Sequence, residues 1–559
     1  MTRRRLTPGR RAALFVAVAV VWAIQRAGVG DRIVNGRGWP NFTEFWTSVT
    51  SPELGADFLR LTVEAAGVTV GFAVLGTLLS LVIGALGALM LSELLWPKPA
   101  LRNLARLVFI VPRAVHEVVW AILLLQIFGF DPIVAIVAIG LPFGAITARV
   151  FADTIDEAPT DPYHRLRSSG ATRLTALAYG VLPAIRGELA SYAFYRLECA
   201  IRAAAVLGVL GAGGIGFQID LSFESLRYEE IWTLIAALMI LSGIADWWST
   251  TVRRSTGPAV TRWSILAGAL LVPLSIRWVG FDLSTLWNGR WSEFAGDLIG
   301  DLLRPSVGPR GWSGYLDATI DTVAMSIIAA AFAVPLALLA AMWAARSTGR
   351  TDRTSPLGTV RRRLVALLLL LARAVPAPVW AFLMVLVLFP GPWPGAIALG
   401  VYNVGVIGRL FAEVLEETPS VASDALRASG ATATAAVVYG RVFPALGRLT
   451  SIALYRWEVI ARETVVVGVV GAGGLGQLIR EHLAARNFPA VSGSILALIV
   501  VALVIDVIST TARRAVRRGV PEREPPSTAP PDSTPTSPSS GPGSTNPIPV
   551  PSSALPSRS

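Results

Sequence analysis

Residues 164–216 read HRLRSSGATRLTALAYGVLPAIRGELASYAFYRLECAIRAAAVLGVLGAGGIG, and residues 424–476 read DALRASGATATAAVVYGRVFPALGRLTSIALYRWEVIARETVVVGVVGAGGLG. The two stretches align without a gap at an offset of 260. A repeat found first constrains every later assignment of elements. The same offset relates Arg113-Ala114-Val115 to Arg373-Ala374-Val375, Trp120 to Trp380, Arg149 to Arg409, Phe151 to Phe411, Pro159 to Pro419 and Asp246 to Asp506. Near the start of each half the register slips by a few residues, and Asn35-Gly36-Arg37 resembles Asn288-Gly289-Arg290. The duplication covers nearly the whole folding chain.

Outward from the repeat, apolar stretches dominate. The 559 residues are 53% hydrophobic and 15% charged, whereas soluble chains carry about a quarter charged residues. Segments 65–90 and 493–508 are apolar on all sides rather than along one stripe, which fits solvation by lipid. Apolar segments fall at about 12–28, 62–91, 104–128, 132–150, 191–210 and 229–249, then at about 263–280, 317–344, 363–389, 394–410, 451–470 and 493–511. An even number of spans per half returns the chain to the side it started from, so the repeats are parallel. The expected architecture is all-α: a polytopic membrane protein of about 12 transmembrane helices in two parallel six-helix repeats. The first repeat covers 1–255 and the second 256–519. Residues 520–559 are rich in Pro, Ser, Thr and Gly; they bury too little apolar surface to offset ordering and are expected to be a disordered cytoplasmic tail.

The net charge of +12 is explained by where the arginines sit. They cluster in loops expected to be cytoplasmic: Arg253 and Arg254 in 250–262; Arg346, Arg350, Arg353, Arg361 and Arg362 in 345–362; Arg513, Arg514, Arg517 and Arg518 after the last span. Both termini are therefore expected in the cytoplasm, with a multi-pass chain crossing the membrane between them. The spans leave no continuous basic face for nucleic acid. Arg3, Arg4, Arg5, Arg10 and Arg11 precede the first apolar stretch like the flank of a signal peptide, but further spans follow, which favours a retained first helix. Cys199 is the single cysteine, and His116, His164 and His482 show no ligand spacing, so neither a disulfide nor a metal site is expected. Lys98 is the only lysine and Pro99 follows it. No phosphate-binding loop of the Gly-x4-Gly-Lys type exists in the chain, so no cofactor is expected in it.

The 40-residue segments between the fourth and fifth spans of each half resemble the EAA loop of ABC importer permeases, whose pattern is Glu-Ala-Ala, three residues, Gly, nine residues, then Ile-x-Leu-Pro. In the second half Asp424-Ala425-Leu426 and Gly430 match the beginning with Asp for Glu, and Pro444 falls one place late after Phe443. In the first half Gly170 and Leu182-Pro183 match, while His164-Arg165-Leu166 replaces the acidic start. The resemblance implies a short cytoplasmic coupling helix in each half, around 160–183 and 420–444, docking one ATPase subunit. Pro183 and Pro444 suit a redirected helix, Gly170 and Gly430 a turn, and Ser169 and Ser429 a cap. An ordinary polar connection is the plain alternative, though its length and duplication argue for more.

Arg113-x3-Glu117-x2-Trp120, Tyr195-Arg196-x-Glu198, Arg202 and the run Gly211-Ala212-Gly213-Gly214-Ile215-Gly216 together resemble the permease of phosphonate ABC transporters. The second half keeps Arg373, Trp380, Tyr455-Arg456-x-Glu458, Arg462 and Gly471 to Gly476, with Ala377 in place of the glutamate. The resemblance implies a non-catalytic permease of the type I importer fold, carrying phosphonate or a related phosphorus oxyanion. It implies two ATPase subunits that bind ATP and Mg, an extracytoplasmic solute-binding protein, and no homodimer, since the fused halves replace one.

Three readings of the residues stay open at this level. The glycines Gly211, Gly213, Gly214, Gly216, Gly471, Gly473, Gly474 and Gly476 suit a bend or gate in the pathway, or close helix packing; the dinucleotide fingerprint they also spell requires a preceding strand. Glu198 with Arg202, and Glu458 with Arg462, form i,i+4 pairs that either face the pathway or are static ion pairs between the halves. An ion-coupled secondary transporter, using Glu198, Glu458, Asp246 or Asp506 as the coupling acid, is the alternative to an ATP-driven importer.

Overall fold

The computed structural model describes residues 8–28, 33–96, 99–254, 258–282, 296, 300–301, 303–345, 356–389 and 391–518. The tail at 520–559, the Asn288-Gly289-Arg290 segment, Lys98 and Arg346, Arg350 and Arg353 lie outside the described residues. The first repeat runs α1 (Pro8–Arg26), α2 (Trp39–Thr47), α3 (Ala56–Leu91), α4 (Pro99–Ala114), α5 (Glu117–Phe128), α6 (Pro132–Asp156), α7 (Asp161–Ser168), α8 (Arg173–Ala176), α9 (Leu182–Leu207), α10 (Gly214–Glu224) and α11 (Tyr228–Arg254). The second runs α12 (Pro258–Val279), α13 (Gly311–Ala344), α14 (Pro356–Ala374), α15 (Ala377–Val387), α16 (Pro392–Glu417), α17 (Val421–Ala428), α18 (Ala433–Val437), α19 (Phe443–Val467), α20 (Gly474–Ala484) and α21 (Phe488–Arg518).

Seven of these helices, α3, α6, α11, α12, α13, α16 and α21, are long and apolar enough to cross a bilayer unbroken. Four further crossings are bent: α4 meets α5 at 84°, α14 meets α15 at 90°, and α10 and α20 leave the helices before them at 50° and 57°. With the shorter apolar helix Leu14–Arg26, the architecture is the expected polytopic all-α one. The third span of each half, expected as one continuous helix over 104–128 and 363–389, is instead broken in two. The cause is local. His116 (ψ 147°) and Pro376 (ψ 146°) are extended immediately before α5 and α15, which interrupts the i to i−4 ladder, and Pro376 has no N–H to offer it.

Each half is organised around a long pair, α3 on α6 and α13 on α16, held by small residues that let the backbones approach. Gly76 faces Ile139, Gly84 faces Thr147 and Gly144 faces Ile83, each so close that an added methyl would fall within 3.0 Å of its neighbour. Gly395 against Met325 and Gly400 against Phe332 repeat the device in the second half. Lipid supplies no hydrophobic drive between helices, so this close contact is what binds them.

The first helix of each half packs on the other half. Helix α1 lies along α13, with the Arg26 guanidinium 2.8 Å from Asp317 and 3.0 Å from Asp321. Reciprocally, α12 lies along α3, where Gly67 meets the Trp278 ring. The segment after α1 then pairs with the end of α15: Asn35 N–H donates to Val387 O at 2.7 Å and Phe389 N–H to Ile33 O at 3.1 Å. Beside it Phe45, Trp46, Tyr228 and Trp232 form an aromatic cluster, with Trp232 Nε1 donating to Phe45 O. Two apolar cores also cross between halves, one joining Ile215 and Ile219 to Met325 and Leu383, the other joining Val118 and Leu207 to Val465 and Leu475.

Candidate functional site

Two regions collect the residues singled out in the sequence. The first is the pair of loops at 157–182 and 418–443. Helix α7 ends in a left-handed Gly170 (φ +92°), whose N–H donates to Arg167 O while Ala171 N–H reaches Leu166 O. Gly430 (φ +88°) does the same in α17, with Gly430 N–H on Arg427 O and Ala431 N–H on Leu426 O. These are Schellman ends, for which a side chain at the positive-φ position is strained. Ser169 and Ser429 cap the C-termini, their hydroxyls bonding back to Leu166 O and Leu426 O. The N-caps of the next helices come from residues that pattern reading missed, Thr172 and Thr432, which accept from Thr175 N–H and Ala435 N–H. An Ala-Thr pair following Gly at both 171–172 and 431–432 is the available signal.

Behind each short helix the chain makes a π-turn, Leu177–Val181 and Val438–Val442, before Pro183 and Pro444 enter the first turns of α9 and α19. The prolines thus begin the long helices rather than end the short ones, a position that needs no N–H. Gly180 and Gly440 lie against the backbones of Tyr163 and Ser423, so α7 and α17 rest directly on those turns. Leu166 and Leu182 are half-buried against the core below α7, and Asp424 and Leu426 are half-buried while Ala425 is exposed. Tyr179 and Tyr439, equivalent in the repeat, stand exposed beside the helices at 76% and 63%, an apolar surface suited to a protein partner.

The second region is a cavity of about 280 Å³ between the halves. Its walls come from α6, α9 and α11 of the first half and α16 and α19 of the second, with Arg113 and Arg373 at the two helix breaks. Eight arginines and five carboxylates line it. Glu198, Arg202 and Arg462 are on the wall; Glu458 is not among the lining residues. The expected i,i+4 pairs form, Arg202 to Glu198 at 3.3 Å and Arg462 to Glu458 at 3.1 Å. Glu198 also lies 3.7 Å from Arg373, and Asp246 holds Arg373 at 3.2 Å and Arg409 at 2.9 Å. The last three contacts join the two halves. The sequence flagged Asp246 and Arg373 as repeated residues without pairing them; membrane-embedded charges seek one another.

The eight glycines lie at or just after the bends beyond the cavity and none lines it. Gly211 (φ +93°) and Gly471 (φ +112°) break the π-turns at Gly208–Ala212 and Gly468–Ala472, Gly213 (φ +102°) and Gly473 (φ +90°) follow, and Gly214 (φ +77°) and Gly474 (φ +70°) open α10 and α20. Ile215 N–H donates to Thr69 Oγ1 and Leu475 N–H to Thr322 Oγ1, each at 2.9 Å. Gly216 and Gly476 sit where a methyl would meet the carbonyls of Ala205 and Val465 at 1.9 and 2.4 Å. Close packing therefore accounts for Gly216 and Gly476. Farther from the docking helices, Phe223 of α10 stacks on Phe382 of α15 at 5.0 Å.

Comparison with known proteins bears on both regions. The family described as binding-protein-dependent transport system inner membrane component matches twice, over residues 76–256 and 337–521. The chain is 26% identical over 451 residues to the phosphate-import permease protein PhnE of Mycolicibacterium smegmatis, covering 79% of this chain and 83% of that one. It is 32% identical over 252 residues to the phosphite transport system permease protein PtxC of Stutzerimonas stutzeri, 45% of this chain and 87% of the relative. A chain of the MetNI methionine ABC transporter in an inward-facing conformation aligns over 35% of this chain and 93% of its own, with 22% identity and a TM-score of 0.31.

Proposed function

Because the chain belongs to the family of binding-protein-dependent transport system inner membrane components, we propose that it forms the whole membrane pathway of an ATP-driven importer for a phosphorus oxyanion of the phosphate, phosphite or phosphonate class. It is a multi-pass inner-membrane permease, and its family works with ATPase and solute-binding partners. The single observation that carries the anion reading is the cavity at the junction of the halves, where eight arginines face five carboxylates. Arginine's planar fork matches tetrahedral oxyanions bidentately. The names of the relatives agree with that chemistry.

The finer assignments follow from this reading. One ATPase subunit docks on α7 and its turn, including Leu166, Gly170, Leu182 and Pro183. A second docks on α17, around Asp424, Ala425, Leu426, Gly430 and Pro444. ATP and Mg are bound by those subunits, and the chain itself is not an enzyme. The docking helices and both termini face the cytoplasm, supported by the basic loops, and the solute-binding protein meets the opposite face near the aromatic cluster. Helix α9 rises from the turn beneath α7 to the cavity wall at Tyr195, about 20 Å away at helical rise. A tilt imposed at the dock therefore reaches the arginines, with the glycine bends as hinge positions.

The test is uptake of phosphite, inorganic phosphate and methylphosphonate by cells expressing the chain with its ATPase and binding protein. Uptake of at least one, lost on deleting 160–183, is expected. Uptake that survives both that deletion and removal of the ATPase overturns the ATP-driven reading.

A further inference from the structure

The two halves use equivalent arginines differently. Arg456 of α19 is neutralised: its guanidinium bonds Asn403 Oδ1 and lies 3.3 Å from Glu463, and Asn403 Nδ2 donates to Glu463 at 3.0 Å. At the 260 offset Arg196 is the counterpart, but Phe143 replaces Asn403 and Ala203 replaces Glu463. Arg196 is 8% exposed and has no carboxylate partner among the described residues. Its Nε and Nη2 donate to the Tyr192 hydroxyl, and its Cζ lies 5.1 Å from the Phe143 ring centroid, 5.0 Å from Tyr192 and 5.8 Å from Tyr195. Aromatic faces hold a guanidinium without cancelling its charge.

The pattern recurs. Arg253 lies 6.0 Å from the Tyr195 ring centroid with no carboxylate partner among the described residues, whereas its counterpart Arg513 is 3.7 Å from Glu458. Arg113 likewise has no acidic partner among the described residues, whereas its counterpart Arg373 bridges Asp246 and Glu198. All three unneutralised arginines line the cavity, and all three belong to the first half.

A buried guanidinium without a counter-ion is costly, and of the five N–H donors on Arg196 two reach Tyr192; Arg113 and Arg253 are exposed to the cavity, with Arg253 giving one donor to Thr250 Oγ1 at 3.3 Å. We propose that the transported oxyanion binds off the pseudo-two-fold axis, on the first-half wall, between Arg196 and Arg253 at Tyr195, with Arg113 as a further cation at the helix break. The second-half equivalents hold the architecture together. Arg202 and Arg462 are committed to their own glutamates and are not the primary ligands. With Ala203 standing where the second half has Glu463, the pore has one anion site rather than two competing ones.

This inference rests on the oxyanion reading above, and the experiment separates them. The full chain, purified with its ATPase subunits in lipid nanodiscs, is titrated with phosphite, inorganic phosphate and methylphosphonate. Arg253→Gln, at an exposed position that leaves the fold intact, and Arg196→Gln should each weaken binding by about tenfold or more, while Arg513→Gln should change it by less than about twofold. Ala203→Glu, which hands Arg196 the partner that Arg456 has, should weaken binding comparably without removing any arginine. Unchanged binding in Arg253→Gln, or equal weakening in Arg513→Gln, overturns the asymmetric site. If wild-type protein binds none of the three anions, the oxyanion reading itself fails and the site with it.

Discussion

Thr69 and Thr322 show how much a single hydroxyl can carry in this fold. Each is buried, donates to the carbonyl four residues back and accepts the first free N–H of the helix that follows the glycine bend. Replacing either by valine keeps the shape and strands a buried N–H, so Thr69→Val and Thr322→Val should each lower stability by about 1–3 kcal/mol, measured as a reduced melting temperature of the detergent-purified chain. Gly216→Val should be worse than Gly243→Ala, because a side chain at 216 meets the Ala205 carbonyl whereas nothing lies within 4 Å at 243. The glycines were visible in the sequence, and so were the arginines. What the sequence did not reveal is which arginines are neutralised, since Glu463 and Asn403 come from different helices and their replacements, Ala203 and Phe143, are unremarkable apolar residues.

At the scale of elements, α7 and α17 are alike in backbone and unlike in surface. Helix α7 exposes His164, Arg165 and Arg167, and α17 presents Val421, Asp424 and Arg427. The elements around α7 are tied to the segment that follows α3: Asp156 at the end of α6 accepts from Ser92 Oγ at 2.6 Å and from Glu93 N–H at 2.9 Å, Tyr163 of α7 donates to Leu94 O at 3.3 Å, and Arg173 of α8 donates to Leu95 O at 2.7 Å. Gly170→Val and Gly430→Val place a β-branched residue at a positive φ. Each is expected to leave the chain in the membrane but to cut ATPase co-purification and uptake; full retention of the ATPase would show that these helix ends do not position the dock. Val34 and Leu388 face one another in an antiparallel bridge, at a spacing that admits a disulfide. With Cys199→Ala as background, Val34→Cys with Leu388→Cys should crosslink on oxidation and shift gel mobility. The resemblance to the EAA loop implied a short helix in each loop, but not the π-turns beneath it or the breaks before α5 and α15. Both depend on backbone hydrogen bonding rather than on hydropathy.

Across the whole molecule, the halves are interlocked rather than merely joined. Helices α1 and α12 each pack on the opposite half, Arg373 and Arg409 of the second half share Asp246 of the first, and two apolar cores run through both. The constant offset made two parallel repeats legible, but the exchange of first helices was not, because contacts between repeats leave no periodic trace in the sequence. Asp246→Asn should loosen this junction: it removes the shared acid from two arginines, and the purified chain should unfold at lower temperature than wild type. The interlocked halves supply both walls of one cavity, which supports the proposal that a single chain makes the complete membrane pathway. Native mass spectrometry of the intact complex, purified through a tag on this chain, tests it most directly. One copy of the chain with two ATPase subunits is the predicted composition; two copies of the chain in the transport-competent complex would contradict it.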